Sequence, residues 1–465
     1  MFKNPRYIFI QIRDAISGKE QDYTKMGIRK SIFLLAIPMV LEMLMESFFA
    51  LWDMFIVKEL GDASVGVVGI TETLMTLVYA LGLGVGMGTT AFVARRIGEK
   101  KAKEASVGAA QAIILGIVLS LAFAIPGILY PEFILQKMNA EAEVIGIGQD
   151  YVRWMLGGNV VIMLLFINNA IFRSAGNPAL AFIVLFVTNI INIILDPLLV
   201  FGIGPFPEMG VTGAAVATNI GRGIGVILQF ILLIKGSGKI NIFGHYFIPK
   251  IKVLWRIMVL SGGGIFQFII ATSSWLLLYR ILANFGTEVI AGYTIAIRVF
   301  IFFLLPAWGL SNAASTLVGQ NLGANNPLRA QQSAAQTALW NAAYMFVVFL
   351  FFQLFTDEIV SVFRTSDAAF EIAKTSLRIV SYGIVLYGVG MVMTQSINGA
   401  GDTYTPTLIN FIGFWVVEIP LAWYLSSHTS LLEEGVFWSV CVAESLIALL
   451  GVYFFRRGKW KLRKV

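Results

Sequence analysis

Residues 31–57 read SIFLLAIPMVLEMLMESFFALWDMFIV, and this stretch decides the class of fold. It exceeds the roughly 20 mostly apolar residues that an α-helix needs to cross a bilayer. It nevertheless carries Glu42, Glu46 and Asp53. At 3.6 residues per turn the three acids fall within an arc of about 40°. A charge at the bilayer centre costs about 2.5–3.5 kcal/mol even on the lenient scale. The stripe is therefore expected to face a polar cavity, hold a proton or pair with a cation. The plainer reading has Glu42 and Glu46 bracing neighbouring helices and Asp53 sitting near the outer interface.

The rest of the chain repeats this character. It has 465 residues, 57% hydrophobic and 13% charged, with mean hydropathy +0.79. A soluble protein carries about 25% charged residues. Eleven more apolar runs follow, at about 65–90, 106–130, 150–172, 178–203, 211–234, 254–283, 288–318, 333–355, 372–398, 404–425 and 436–456. The expected class is an all-α polytopic membrane protein with twelve transmembrane helices. The first apolar run is of full spanning length and follows a polar lead, which argues against a cleaved signal peptide. Cys441 is the single cysteine, so neither a disulfide framework nor a Cys-rich metal site is available. His245 and His428 are the only histidines and fall in loops or at helix ends.

The net charge of +7 sits in loops and tails, which makes it a topology signal and not a nucleic-acid signal. Arg95, Arg96, Lys100, Lys101 and Lys103 lie between the second and third runs, and Arg173 between the fourth and fifth. Lys235, Lys239, Lys250, Lys252 and Arg256 lie between the sixth and seventh. Arg329 follows the eighth, and the tail holds Arg456, Arg457, Lys459, Lys461, Arg463 and Lys464. The opposite loops are acidic or neutral. The positive-inside rule then places both termini in the cytoplasm. Residues 1–30 interleave Lys3, Arg6, Arg13, Lys19, Lys25, Arg29 and Lys30 with Phe2, Tyr7, Ile8, Phe9, Ile12 and Ile16, the pattern of an interfacial amphipathic segment. A partly disordered basic tail is the alternative.

An internal repeat organises the rest. Gly61 and Gly286, Arg96-Ile97-Gly98 and Asn321-Leu322-Gly323, Arg173 to Pro178 and Asn398 to Thr403, and Gly210 and Gly435 all stand 225 residues apart. Two six-helix lobes in parallel orientation are expected, at 31–234 and 253–456. A linker, 235–252, joins them, and a basic tail, 457–465, follows. Repeats of this kind place transport sites between the halves.

The halves differ where chemistry is expected. Asp53 maps to Leu278, Asp196 to Leu421, Asn192 to Val417 and Thr218 to Ala443, whereas Glu42 maps to the polar Gln267. Asn189, Asn192 and Asp196 share one face of the fifth helix. Pro197 leaves the Ile193 carbonyl without its helical donor. Carboxylates and free carbonyls at membrane depth suit a proton or a hard cation such as Na⁺. A hydrogen-bonded helix end is the alternative for Asp196. Glu72 and Arg298 are near-twins and are expected to pair between the lobes, while Arg280, Glu418 and Glu444 read as packing or gating groups. Gly82, Gly84, Gly86 and Gly88 read as close helix packing. No Walker motif occurs, so the chain carries no ATP-driven pump. Trp52, Phe166, Trp275, Trp308 and Trp415 could stack on flat organic cations or serve as ordinary interface residues.

Taken in order, LWDMFIVKELG (51–61), GVVGI (66–70), ARRIGE (94–99), RSAGNP (173–178), NIILDP (192–197), GVTGAAVAT (210–218), LVGQNLGA (317–324) and NGAGDTYTP (398–406) resemble a MATE (multidrug and toxic compound extrusion) transporter over about 30–455. The likeness is nearer the DinF-like branch, because Gln267 replaces the helix 7 Glu of NorM-like members and 387–395 lacks their helix 10 Asp. The resemblance implies a cation-coupling set of Asp53, Asn192 and Asp196, with Asn169 on helix 4 and Thr218 on helix 6. It also implies antiport of an organic cation against H⁺ or Na⁺ by two alternating lobes, with no cofactor beyond the coupling ion. The expected partners are a small cationic amphipathic substrate and the bilayer, the expected state a monomer, and the expected place the inner membrane. Glu46, Glu42 and Glu418 are additions to the family pattern. A lipid-linked precursor flippase would need Arg280 and Arg298 in a wide cationic cavity. A membrane-embedded transferase would need an interfacial His/Asp or DxD site.

Overall fold

The computed structural model describes residues 5–18, 21–236, 238–363 and 365–465. Phe2, Lys3 and Lys19 of the basic lead, and the side chains of Arg6, Tyr7, Ile8 and Phe9, lie outside the described part. The described chain is helical throughout, with a short helix Pro5–Ile16 ahead of the spans. The spanning helices are α1 Ile28–Lys58, α2 Asp62–Gly98, α3 Ala102–Leu129, α4 Ala142–Ala175, α5 Pro178–Val200 and α6 Val211–Lys235. They continue with α7 Ile251–Phe285, α8 Thr287–Gly323, α9 Pro327–Leu354, α10 Asp367–Ser381 plus Ile384–Gly399, α11 Tyr404–His428 and α12 Glu433–Arg457. Eleven of these qualify as single spans, and α10 makes twelve if its bent pair counts as one.

Two expected spans differ in shape. The run at 372–398 is broken and turns by 54°. The break sits at Gly383, where a Cβ would lie 3.0 Å from the Cys441 carbonyl oxygen, a tight contact with α12. In α11, residues 411–418 widen into a π-helical stretch ahead of Pro420. Proline has no N–H to continue the regular ladder.

Two apolar clusters are built mainly on the first half and two on the second, and one of the first pair also takes in Ile257 and Leu260 of α7 and Val465 of the tail. The first helix of each half reaches across: α1 packs along α8, and α7 packs along α2. These two contacts are equivalent under the 225-residue repeat. The α2–α7 seam is unusually tight. A Cβ on Gly84 would stand 2.5 Å from the Ile265 amide nitrogen, and one on Gly88 2.7 Å from that of Ser261. Gly82 and Gly86 point the other way, towards Phe166 and Ala170 of α4.

Candidate ion-coupling site

The three acids of α1 do not share one environment. Glu42 is 2% exposed, and its Oε1 accepts from Arg173 Nη1 at 2.6 Å and from Asn169 Nδ2 at 3.0 Å. Gln229 Nε2 donates to Asn169 Oδ1 at 2.7 Å. Asn169 therefore works in a bracing network of α1, α4 and α6. Arg173, read above as a loop cation, turns inward into this network as an ion-pair partner, with its side chain 11% exposed. A carboxylate placed this deep must pair with a cation or take up a proton, and here Arg173 supplies the cation.

One turn on, Glu46 Oε2 lies 3.4 Å from Arg222 Nη2. Arg222, on α6, is buried and its guanidinium sits 4.6 Å above the Phe49 ring. Two turns further, Asp53 lies within electrostatic range of Arg222, Glu72 and Asp196. Its Oδ1 is buried and accepts from no donor.

Asp196 is fully buried, and Asn192 Nδ2 donates to its Oδ1 at 3.1 Å and to Thr218 Oγ1 at 3.4 Å. Asn189 instead turns to α1, donating to the Met45 carbonyl at 2.9 Å. The rise of the helix sets this division: Asn189 shares the face but stands two turns, about 10 Å, from Asp196, whereas Asn192 is one turn away. Asp196 Oδ2 and Asn192 Oδ1 are also buried without donors. With Glu42 Oε2 and Glu46 Oε1, five donorless oxygens from α1 and α5 thus lie in the first half, and the three on Asp53, Asn192 and Asp196 are on side chains with no cation among the described residues bonded to them. Among the described residues no three His, Cys, Asp or Glu side chains form a metal-type cluster. A cation here would rely on two carboxylates with Asn192 and Thr218 oxygens, a hard-donor set.

The MatE family model matches twice, at residues 38–198 and 264–424. The chain belongs to the MatE family. Its members are transporters, not enzymes. The probable multidrug resistance protein NorM of Thermotoga maritima is 26% identical over 444 residues, 94% of each chain. The probable multidrug resistance protein YoeA of Bacillus subtilis is 25% identical over 96% of this chain and 97% of its own. A crystal structure of a MATE in complex with MaL6 superposes with TM-score 0.88 at 23% identity, covering 95% of this chain and 98% of its own. That likeness shows the fold.

In this MatE chain the second half carries different polar groups. Gln267 exchanges hydrogen bonds with Asn398 at 3.1 and 3.0 Å and donates to the Thr403 carbonyl at 3.2 Å. Glu418 is fully buried, accepts from Ser274 of α7, and so braces α7 on α11 within one half. A cavity of about 350 Å³ lies between α2 and the second half, lined by Trp275, Trp308, Phe268, Tyr387, Gln267 and Glu444. Trp308 stacks on Phe268 at 5.6 Å. Phe166 instead packs edge-on against Tyr79, Trp52 lies beside Phe55, and Trp415 is half-exposed.

One expected contact is not made. Glu72 accepts from Tyr79 at 3.5 Å, whereas Arg298 is exposed, and no ion pair joins them among the described residues. Twin positions in a repeat meet only on its symmetry axis, and this pair lies off it. Arg222 is the group that sequence reading missed. Its twin position is Ile447, so the half-to-half comparison that singled out Asp53 would have found it.

Proposed function

We propose that the chain is a secondary antiporter that exports organic cations, drugs or metabolites in exchange for H⁺ or Na⁺. The observation that carries this reading is the trio of buried, donorless oxygens on Asp53, Asn192 and Asp196. Buried carboxylates need a counter-charge, and the fixed cation Arg222 is already engaged by Glu46. A proton or Na⁺ entering from outside supplies the charge and relaxes α1, which bends at Pro38 or repacks. The lobe then closes around its substrate path. Ion and substrate must favour different states for either to drive the other.

The aromatic cavity with Glu444 on its wall suits a flat cation, through stacking and cation–π contact. The relatives named for multidrug resistance support drug export. One named FAD transporter, from Shewanella oneidensis, keeps a metabolite within range. Arg280 and Arg298 are exposed and do not line this cavity, which weighs against a flippase handling pyrophosphate. The charge bias of the loops supports a cytoplasmic-membrane protein with both termini inside.

The test is ethidium export from proteoliposomes under separately imposed proton and sodium gradients. Wild type should respond to one gradient, and Asp53→Asn should lose that response. Ion-driven export that persists in folded Asp53→Asn overturns the reading.

A further inference from the structure

The face that carries the basic loops holds a cavity of about 820 Å³. Its wall draws on both halves. Lys103 comes from α3, Lys250, Lys252 and Arg256 from the start of α7, and Lys464 from the tail. Two other cations on the wall are already matched. Arg96 lies 2.5 Å from Glu99 and 3.3 Å from Glu104, and Arg463 lies 3.2 Å from Asp402. The first five have no ion-pair partner among the described residues, and all five side chains are exposed. The positive-inside rule accounts for cations on this face. It does not account for five unmatched ones converging on a single concavity from three parts of the chain.

The surroundings are amphipathic. Phe92, Val107 and Leu260 form an apolar floor. On the rim, Trp255 is 61% exposed and Val259 56%, both on the outer side of α7 near its first turns. Tryptophan at that depth is typical of the headgroup boundary. We propose that this cavity binds the phosphate headgroup of an anionic phospholipid, with its acyl chains lying on α7 beside Trp255 and Val259. A soluble phosphate would satisfy the cations equally, but it leaves the apolar rim unused. Basic pockets between membrane helices are suited to such headgroups. Because both halves line it, a bound lipid joins them on this face and favours the state in which this face is closed.

The test uses the full chain in neutral detergent, with phosphatidylglycerol, phosphatidylcholine or inorganic phosphate added, read by native mass spectrometry and melting temperature. Wild type should retain phosphatidylglycerol in preference to phosphatidylcholine and melt higher with it. The Lys250→Gln/Lys252→Gln/Arg256→Gln variant should bind phosphatidylglycerol about a hundredfold more weakly, by the usual contribution of each surface cation. Its binding of phosphatidylcholine should not change. If that variant melts lower than wild type without lipid, Lys103→Gln/Lys464→Gln applies the same test from other elements. Undiminished phosphatidylglycerol binding in a folded variant, or equal retention of the two lipids by wild type, overturns the site. Equal stabilisation by inorganic phosphate alone overturns the lipid assignment.

Discussion

Arg173 Nη1 lies 2.6 Å from Glu42 Oε1, with the two side chains 11% and 2% exposed. The same joint recurs 225 residues on, where Asn398 and Gln267 exchange amide hydrogen bonds. One repeat position is therefore built twice, once with charge and once without. Removing one partner of a buried ion pair leaves an uncompensated charge and costs about 3–5 kcal/mol. Glu42→Gln and Arg173→Asn should each destabilise the protein by that order. The double variant copies the second-half pair and should recover most of the loss. A double-mutant cycle on denaturant unfolding measures it. Additive losses would mean that the pair acts as two independent contacts.

Arg222 holds the middle of the α1 stripe, 3.4 Å from Glu46 and stacked over Phe49. Arg222→Met keeps much of the volume and removes the charge. Glu46 is then left without its cation, and the expected cost is about 3 kcal/mol. Adding Glu46→Gln should restore most of it. Melting temperatures of the two single variants and the double variant check this, and a double variant no better than Arg222→Met counts against the pairing.

Glu99, at the end of α2, gives a pH-dependent contact outside the spans. Partial burial pushes its carboxyl up, but Arg96 at 2.5 Å and Lys101 at 3.4 Å outweigh that and hold it below its ordinary value. A carboxyl depressed in the folded state stabilises above its unfolded value, about 4.3, and that contribution fades as pH falls through the folded value. Wild type should therefore melt higher than Glu99→Gln at pH 7, and the gap should close in acid. A gap of constant size from neutral to acid pH would exclude this linkage.

The fold was legible because its signals are cumulative. Twelve apolar runs and one 225-residue offset each repeat the same message, and a misjudged edge does not alter it. The site was legible only in part. Asn192, Asp196 and Thr218 could be grouped because helical spacing and the contrast between halves both single them out. The role of Arg173 was not legible. It sits two residues from the end of α4, where a sequence reading sees a loop cation and only packing shows an inward one. Asn169 was carried over by resemblance, but its hydrogen bonds run to Glu42 and Gln229. Contacts between α1, α4 and α6 leave no periodic trace in the chain.

The glycines of α2 allow a sharper test, because neighbours in sequence face different helices. At Gly84 a Cβ would stand 2.5 Å from the Ile265 amide nitrogen, and backbone cannot rotate aside. At Gly86 it would meet Ala170 Cβ at 3.4 Å, an ordinary contact. Alanine is favoured over glycine in a helix interior by about 1 kcal/mol. Gly86→Ala should therefore be neutral or mildly stabilising. Gly84→Ala must push α2 and α7 apart, and overpacking of this kind costs about 1–3 kcal/mol. Since that seam joins the two halves, Gly84→Ala should also expose it. A cysteine placed at Ser261 in the Gly84→Ala background should label faster with a thiol reagent than in the Gly86→Ala background. Equal labelling and equal melting temperatures would mean that the seam is not under the close contact described.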